Sequence, residues 1–189
     1  MRWLRSARPA ANDFSARERS AACLCDRATG RAAVRCMKTL ARYDDQAEIL
    51  LRLRALRPES VRRWGRMSVH EMVCHLSDSF RMVLGQKPVG PAPGRLRRTM
   101  IKWIALYLPL PWPAGILKTT PELDQESGGT RPVDFAADVA ELEALLSLVT
   151  THRRDFDGQS HPIFGRMSEA AWLRWAYLHM DHHLRQFSA

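Results

Sequence analysis

The chain has 189 residues, 46% hydrophobic and 26% charged, so it can fold as one globular domain whose core needs neither disulfides nor a structural metal. Its formal charge is +9, but +5 of this lies in residues 1–36, so we expect no nucleic-acid partner. The most apolar run, residues 100–117, contains a lysine and three prolines. These residues argue against a membrane-spanning helix and leave surface attachment to a membrane as the less favoured alternative.

Residues 1–36 are rich in Arg and Ala and lack apolar periodicity, which predicts a disordered extension. The stretch "MKTLARYDDQAEIL" resembles a natural start at Met37, so we interpret the extension as an addition to the native protein. An Arg-rich transit peptide is the alternative, although three acidic residues count against it. There is no secretory apolar run and no paired zinc-type cysteine spacing, so a cytoplasmic location is expected.

Helical signals follow from this point. The first predicted helix covers about 44–56, with Pro58 beyond its end. A second begins at Ser68, where "SVHE" forms a capping box, and ends at Gly85. Its apolar residues recur with helical spacing and predict a buried face: Met72, Leu76, Phe80 and Val83.

Three more helices are predicted in the second half. A short one covers about 97–108, and the irregular segment 109–131 follows, long enough to suggest a function such as covering a site. A helix over about 132–151 has Pro132 at its first position, and the last helix covers about 168–187. With no strand-like alternation, the chain is predicted to be all-α, a four-helix bundle with one additional short helix.

A short segment is repeated before two of these helices. "WGRMS" occupies 64–68 and "FGRMS" occupies 164–168, and each places a serine at a predicted N-cap. The plain alternative is that an aromatic residue, a glycine turn and a serine cap simply make a good helix start. The repeat nevertheless allows the faces of the two helices to be compared.

Three histidines share a face in this comparison. His75 lies seven residues after its cap serine, and His179 and His183 lie eleven and fifteen after theirs. Steps of four residues keep side chains on nearly the same face of a helix. The three imidazoles are therefore expected to point in similar directions from their helix starts.

This arrangement suggests a metal site. His179 and His183, at i and i+4, can bring two imidazoles to one ion, and His75 is the best candidate for a third. His182 could replace His183 or play a supporting role. Three neutral imidazoles leave open positions on zinc, nickel, iron or manganese, as a catalytic site requires. The alternative is a set of core or surface histidines without a metal.

Other polar residues near these histidines have several possible roles. Gln186 and Asp181 could hydrogen-bond to the ligands. His161 could line the site or serve a turn beside Pro162. "HEMVCH", at 70–75, is one residue too long for the metalloprotease pattern, because a five-residue gap turns the second histidine about 140° from the first.

Two stretches carry a family resemblance: "MVCHLSDSFRMVLG" at 72–85 and "HPIFGRMSEAAWLRWAYLHMDHHLRQF" at 161–187. They resemble the DinB-like superfamily of bacterial four-helix-bundle metalloproteins, and in particular an uncharacterised branch of it. That superfamily has one histidine in its second bundle helix and H-x-x-x-H in its last, often written H-x-x-H-H-x-x-Q. The resemblance covers about 37–189 and leaves 1–36 unexplained.

The resemblance implies a divalent ion, usually zinc or nickel, bound by His75, His179 and His183. It favours His183 over His182 as the third ligand. Three further side chains are expected to support the ligands or face a substrate: His182, Gln186 and His161. No residue is assigned a catalytic role.

The resemblance also implies a reaction type. Characterised relatives include thiol-dependent S-transferases and a maleylpyruvate isomerase, which use the metal to hold or activate a low-molecular-weight thiol. We therefore expect a metal-dependent enzyme that transfers a thiol to a small electrophile. A hydrolase using metal-bound water and a non-catalytic metal-binding bundle are the alternatives. The sequence leaves the metal, substrate and oligomeric state open, and a homodimer is compatible with it.

Overall fold

A computed structural model describes five stretches of the chain: 37–91, 97–108, 110–114, 119–151 and 159–189. The predicted extension 1–36 lies outside these residues. Five α-helices account for most of the described chain: α1 Tyr43–Ala55, α2 Val69–Val83, α3 Arg97–Tyr107, α4 Phe135–Thr151 and α5 Glu169–Gln186. The all-α prediction is confirmed.

Two small elements were not predicted. A one-turn 3-10 helix, Pro121–Leu123, lies within the irregular segment, and an antiparallel hairpin pairs β1 Ser160–His161 with β2 Gly165–Arg166. Two-residue strands are too short to produce a detectable alternation of apolar and polar residues. None of the helices in the described part of the chain is long and apolar enough to cross a membrane.

The repeated segments start α2 and α5 by the same chemistry. The Ser68 hydroxyl accepts a hydrogen bond from the Glu71 N–H at 3.2 Å, and the Glu71 carboxylate accepts from the Ser68 N–H at 2.7 Å. The Ser168 hydroxyl accepts from the third residue of α5 in the same way. Gly65 and Gly165 have φ values of 76° and 66°, a left-handed conformation that favours glycine. The predicted caps are confirmed.

The predicted start of α4 at Pro132 is wrong. The helix begins at Phe135, and the side chain of Asp134 accepts a hydrogen bond from the Ala137 N–H at 2.7 Å. An aspartate whose side chain accepts from a free N–H of the first turn stabilises that helix start. A proline is only compatible with the first turn, because it has no N–H to satisfy, and so defines the start less strongly. The predicted ends of the other helices lie within about one residue of the observed ones.

The core places α2 and α5 side by side. The predicted buried face of α2 is confirmed, because Met72, Leu76 and Phe80 are fully buried. In the described chain α2 contacts α4 and α5, while α5 also contacts α1 and α3. Burial of each such side chain contributes about 1.5–3 kcal/mol. This packing fixes the two helices that carry the candidate ligands.

An ionic cluster fixes the irregular segment against α2. The fully buried carboxylate of Asp78 accepts hydrogen bonds from the Thr130 N–H at 2.7 Å, Lys87 at 2.9 Å and Arg81 at 2.9 Å. Burial raises the pKa of Asp78, but the bonds from Thr130 and Lys87 outweigh it and the pKa is lowered. Asp78 therefore stays ionised and holds the end of this segment in place.

Candidate metal centre

Three histidine rings meet between α2 and α5. The centroid of the His75 ring lies 5.1 Å from that of His179 and 4.9 Å from that of His183, and the last two are 4.9 Å apart. The Nε2 atoms of His75 and His179 are 3.2 Å apart, and one nitrogen of each ring lies within 4.8 Å of the others. The structure thus brings together the three side chains that the sequence selected.

The irregular segment orients the first of these rings. His75 Nδ1 lies 2.9 Å from the carbonyl oxygen of Leu123, in the 3-10 helix. A carbonyl oxygen only accepts, so Nδ1 carries the proton and donates it. The lone pair of His75 is therefore on Nε2, which faces His179.

Gln186 orients the His183 ring from the other side. Its Nε2 donates to the Trp64 carbonyl at 2.8 Å, so its Oε1 is the atom that faces His183 Nδ1 at 3.1 Å. That oxygen accepts from a protonated Nδ1 and leaves the lone pair of His183 on Nε2. Gln186 also packs closely against Gly65, because a Cβ atom added at Gly65 would lie 2.7 Å from Gln186 Nε2. Gln186 therefore hydrogen-bonds to a candidate ligand, which is the contact that the predicted supporting role requires.

Changing Gln186 tests its orienting role. We expect Gln186→Met to weaken the affinity for zinc by roughly 10- to 100-fold, because the His183 ring loses the acceptor that fixes its tautomer. Gln186→Glu retains an acceptor at the same position and is expected to lose less. The dissociation constant for zinc is measured for each variant by competition with a chromophoric chelator.

Equal affinities for Gln186→Met and the unchanged protein would contradict this role. Gln159→Met serves as a matched control, since Gln159 approaches Gly85 as closely as Gln186 approaches Gly65 but is not among the residues that line the cavity.

All three histidines are neutral at pH 7. Burial lowers the pKa of His75, and burial together with the neighbouring imidazoles lowers the pKa values of His179 and His183 well below the usual value. His179 Nδ1 is buried and has no hydrogen-bond partner among the described residues. Neutral rings keep the lone pairs that a metal ion needs.

One pair of nitrogens has the spacing expected for a shared divalent ion. Two nitrogens bound tetrahedrally to zinc at about 2.0–2.1 Å lie roughly 3.4 Å apart, close to the 3.2 Å between the Nε2 atoms of His75 and His179. Imidazole nitrogen suits zinc and nickel, as it also suits copper and iron. The donor set and its spacing are therefore compatible with the predicted metals.

A cavity of about 120 Å³ opens beside the three rings. Its walls are largely aromatic and aliphatic, with Trp112, Trp175 and Phe164 among the residues that form them. The rings of Trp175 and His179 are 4.9 Å apart, so the apolar wall is continuous with the histidines. A small molecule in this cavity would contact the open side of the candidate site.

The remaining predicted site residues divide into two groups. His182 and His161 line the cavity, and the His182 ring lies 5.2 Å from that of His183 without joining the convergent three. The sequence suggested that Asp181 hydrogen-bonds to the candidate ligands, and this suggestion is wrong. Its carboxylate instead binds Arg52 at 2.8 Å and Arg185 at 2.9 Å, which turns it toward α1.

A second group of potential ligands lies between α2 and α4. One carboxylate oxygen of Asp138 is 2.6 Å from His70 Nε2, 3.7 Å from Cys74 Sγ and 3.2 Å from the Val133 N–H. Burial, with a contribution from Asp138, raises the pKa of Cys74 to about 12, so this thiol is unreactive at neutral pH. These contacts join the two helices, and they show His70 facing away from His75, as the five-residue gap predicted.

Two contributors to the site had no signal in the sequence. The Leu123 carbonyl orients His75, but any residue offers a carbonyl and its sequence separation from His75 is 48 residues. Trp112 lines the cavity from a stretch whose prolines gave no periodicity. Only the packed loop reveals either one.

Comparison with known proteins adds one finding. No curated protein and no solved structure matches the chain. Residues 37–189 match the sequence model of a family described as "Protein of unknown function (DUF1569)", and this match spans all five described helices and the three convergent histidines. The chain therefore belongs to the DUF1569 family.

Proposed function

We propose that the chain is a divalent-metal-dependent enzyme of the DinB-like type, in which His75, His179 and His183 bind one zinc or nickel ion. The observation that carries the proposal is the convergence of three neutral imidazoles, that of His75 buried and that of His183 half-buried, beside a cavity of about 120 Å³. When bound, the ion would act as a Lewis acid that favours the anionic form of a small ligand.

The residues around the ion would prepare the reactants. Leu123 and Gln186 hold the ligand rings so that their Nε2 lone pairs converge. Trp112 and Trp175 exclude water from the reacting groups and offer flat apolar surfaces to a substrate. These roles suit a small, mainly apolar reactant.

We propose thiol transfer to a small electrophile rather than hydrolysis. Zinc hydrolases commonly use a carboxylate beside the metal as general base, whereas the cavity-lining residues that the structure describes include no Asp or Glu. An apolar cavity suits a soft sulfur nucleophile. With an activated alkene, sulfur would form a bond to one alkene carbon while the thiol proton passes to the other.

The test combines metal content with activity. We expect the purified protein, dialysed against zinc or nickel and then against buffer, to retain one ion per chain by plasma mass spectrometry. We also expect it to accelerate the addition of 2-mercaptoethanol to methyl acrylate and to lose this activity when a chelator removes the ion.

Absence of a retained ion would overturn the metal site. A retained ion with no thiol addition, but with hydrolysis of small esters, would favour the hydrolase alternative. A retained ion with neither reaction would favour a non-catalytic metal-binding bundle.

A further inference from the structure

His161 is fixed in one tautomer by its own turn. Its Nδ1 lies 3.1 Å from the Ile163 N–H and 3.2 Å from the Phe164 N–H, both of which can only donate. Nδ1 must therefore accept, and the proton of the neutral ring is on Nε2. The left-handed Gly165 closes this turn and returns the chain to α5.

Aromatic neighbours prevent the His161 ring from turning over. The ring stacks on Phe164 at 4.5 Å between centroids and 21° between planes, and Trp175 and Trp172 lie at 5.0 and 5.5 Å. Burial lowers the pKa of His161 to about 3, so it is neutral at physiological pH. Its Nε2–H has no hydrogen-bond partner in the described chain, although the residue lines the cavity. The cavity thus contains a preoriented donor that cannot also accept.

The described cavity wall contains no charged side chain that would neutralise a bound metal ion. The described lining residues include no Asp, Glu, Lys or Arg. The carboxylates that influence His75 are Asp78 and Asp124, and both are already paired with basic side chains, Asp124 with Arg66. A divalent ion on three neutral imidazoles would therefore keep its double positive charge and attract an anionic donor.

His161 and the three histidines can be spanned by one small molecule. The Trp175 ring neighbours both, with its centroid 5.0 Å from that of His161 and 4.9 Å from that of His179. The two histidine centroids are consequently no more than about 10 Å apart. The flat face of Trp175 offers an apolar support for the intervening part of a ligand.

We propose that the cavity selects small molecules that have an anionic metal-binding group at one end and a carbonyl or carboxylate oxygen at the other. That oxygen accepts a hydrogen bond from His161 Nε2–H. This rests on the proposed metal site and specifies the class of its ligand. His161 is a specificity-determining residue on this view. Some ligands would carry an ammonium group, or another group that can only donate hydrogen bonds, in place of the oxygen. Such a group would face the Nε2–H of His161, which also can only donate, and the cavity would therefore reject the ligand.

Cobalt(II)-loaded protein allows this selection to be measured without turnover. Thiolate binding to cobalt produces a near-ultraviolet charge-transfer band that can be titrated. The probes are methyl 3-mercaptopropionate, which carries a carbonyl, 1-butanethiol, which lacks one, and cysteamine, which carries an ammonium group. We expect the carbonyl probe to bind roughly three- to tenfold more tightly than butanethiol, as one net hydrogen bond allows, and cysteamine to bind most weakly.

Two substitutions of His161 distinguish the role of its Nε2–H as a hydrogen-bond donor to the ligand from the role of its Nδ1 in stabilising the turn. His161→Asn retains an acceptor near the position of Nδ1 for the two backbone N–H groups but loses the reach of Nε2–H. His161→Gln retains a donor near the position of Nε2 but weakens the turn. We expect His161→Asn to bind the carbonyl probe and butanethiol with equal affinity, while His161→Gln keeps most of the preference and has a lower unfolding midpoint.

The outcomes distinguish the two proposals. Failure to bind cobalt would overturn the metal site and this inference together. Cobalt binding with no preference for the carbonyl probe, or with a preference that His161→Asn retains, would overturn only the role of His161. His70→Asn, outside the cavity lining, is the control and is expected to leave the preference unchanged.

Discussion

His179→Ala is expected to abolish stoichiometric metal binding, lowering the affinity for zinc by more than about 100-fold. Loss of a supporting hydrogen bond alone typically costs 10- to 100-fold, and loss of a ligand removes a direct bond to the ion. His179 is central, since its Nε2 is 3.2 Å from that of His75 and it shares a helix face with His183. The measurement is equilibrium dialysis against zinc followed by plasma mass spectrometry.

His182→Ala is the matched control for this prediction. His182 lies on the same helix and lines the same cavity, but its nitrogens are not part of the convergent set. We expect this variant to retain one ion per chain with an affinity within about threefold of the unchanged protein. Equal loss of metal in both variants, or no loss in His179→Ala, would contradict the ligand assignment.

Local chemistry explains why most helices could be predicted. Ser68 and Ser168 begin α2 and α5 through bonds to N–H groups three residues away, so their signal lies within four residues of sequence. The apolar spacing of α2 is equally local. The prediction of where α4 starts was wrong although its signals are equally local, because Pro132 and Asp134 are both acceptable helix starts and the sequence does not rank them.

The histidine cluster was predictable because helix geometry extends a local pattern. A separation of four residues places His179 and His183 on one face wherever the helix lies. The contribution of His75, 104 residues before His179, required a comparison of two helix starts. That comparison succeeded because both starts use the same left-handed glycine and serine cap.

The surroundings of the cluster depend on contacts that leave no pattern in the sequence. The turn of His161 was one of two roles considered, and the structure combines both, since the turn fixes the ring that lines the cavity. Asp181 was misjudged because its partner Arg52 lies 129 residues away on α1. Side-chain partners across loops and helices follow from packing, which periodicity does not describe.

The metal-free protein is expected to lose stability steeply as the pH falls below 6.5. The folded pKa values of His75, His179 and His183 are lowered by burial, so between these values and 6.5 the unfolded chain binds protons that the folded chain does not. The free energy of unfolding then rises with pH, by about 1.4 kcal/mol per pH unit for each histidine that stays neutral when folded. Above pH 7 this contribution is flat.

Urea unfolding in the presence of a chelator, at pH values from 7.5 to 5.0, measures this dependence before most carboxylates titrate. A histidine that stays neutral in the folded protein down to pH 5.0 is expected to account for roughly 1.7 kcal/mol of the loss between pH 6.5 and 5.0. His179→Leu removes one titrating group from the unfolded chain and should reduce the slope, even though it changes the packing at every pH. An unchanged slope would mean that His179 takes up its proton in the folded protein. Its lone pair would then be unavailable to a metal in the same pH range, since protons and the ion compete for the same nitrogen.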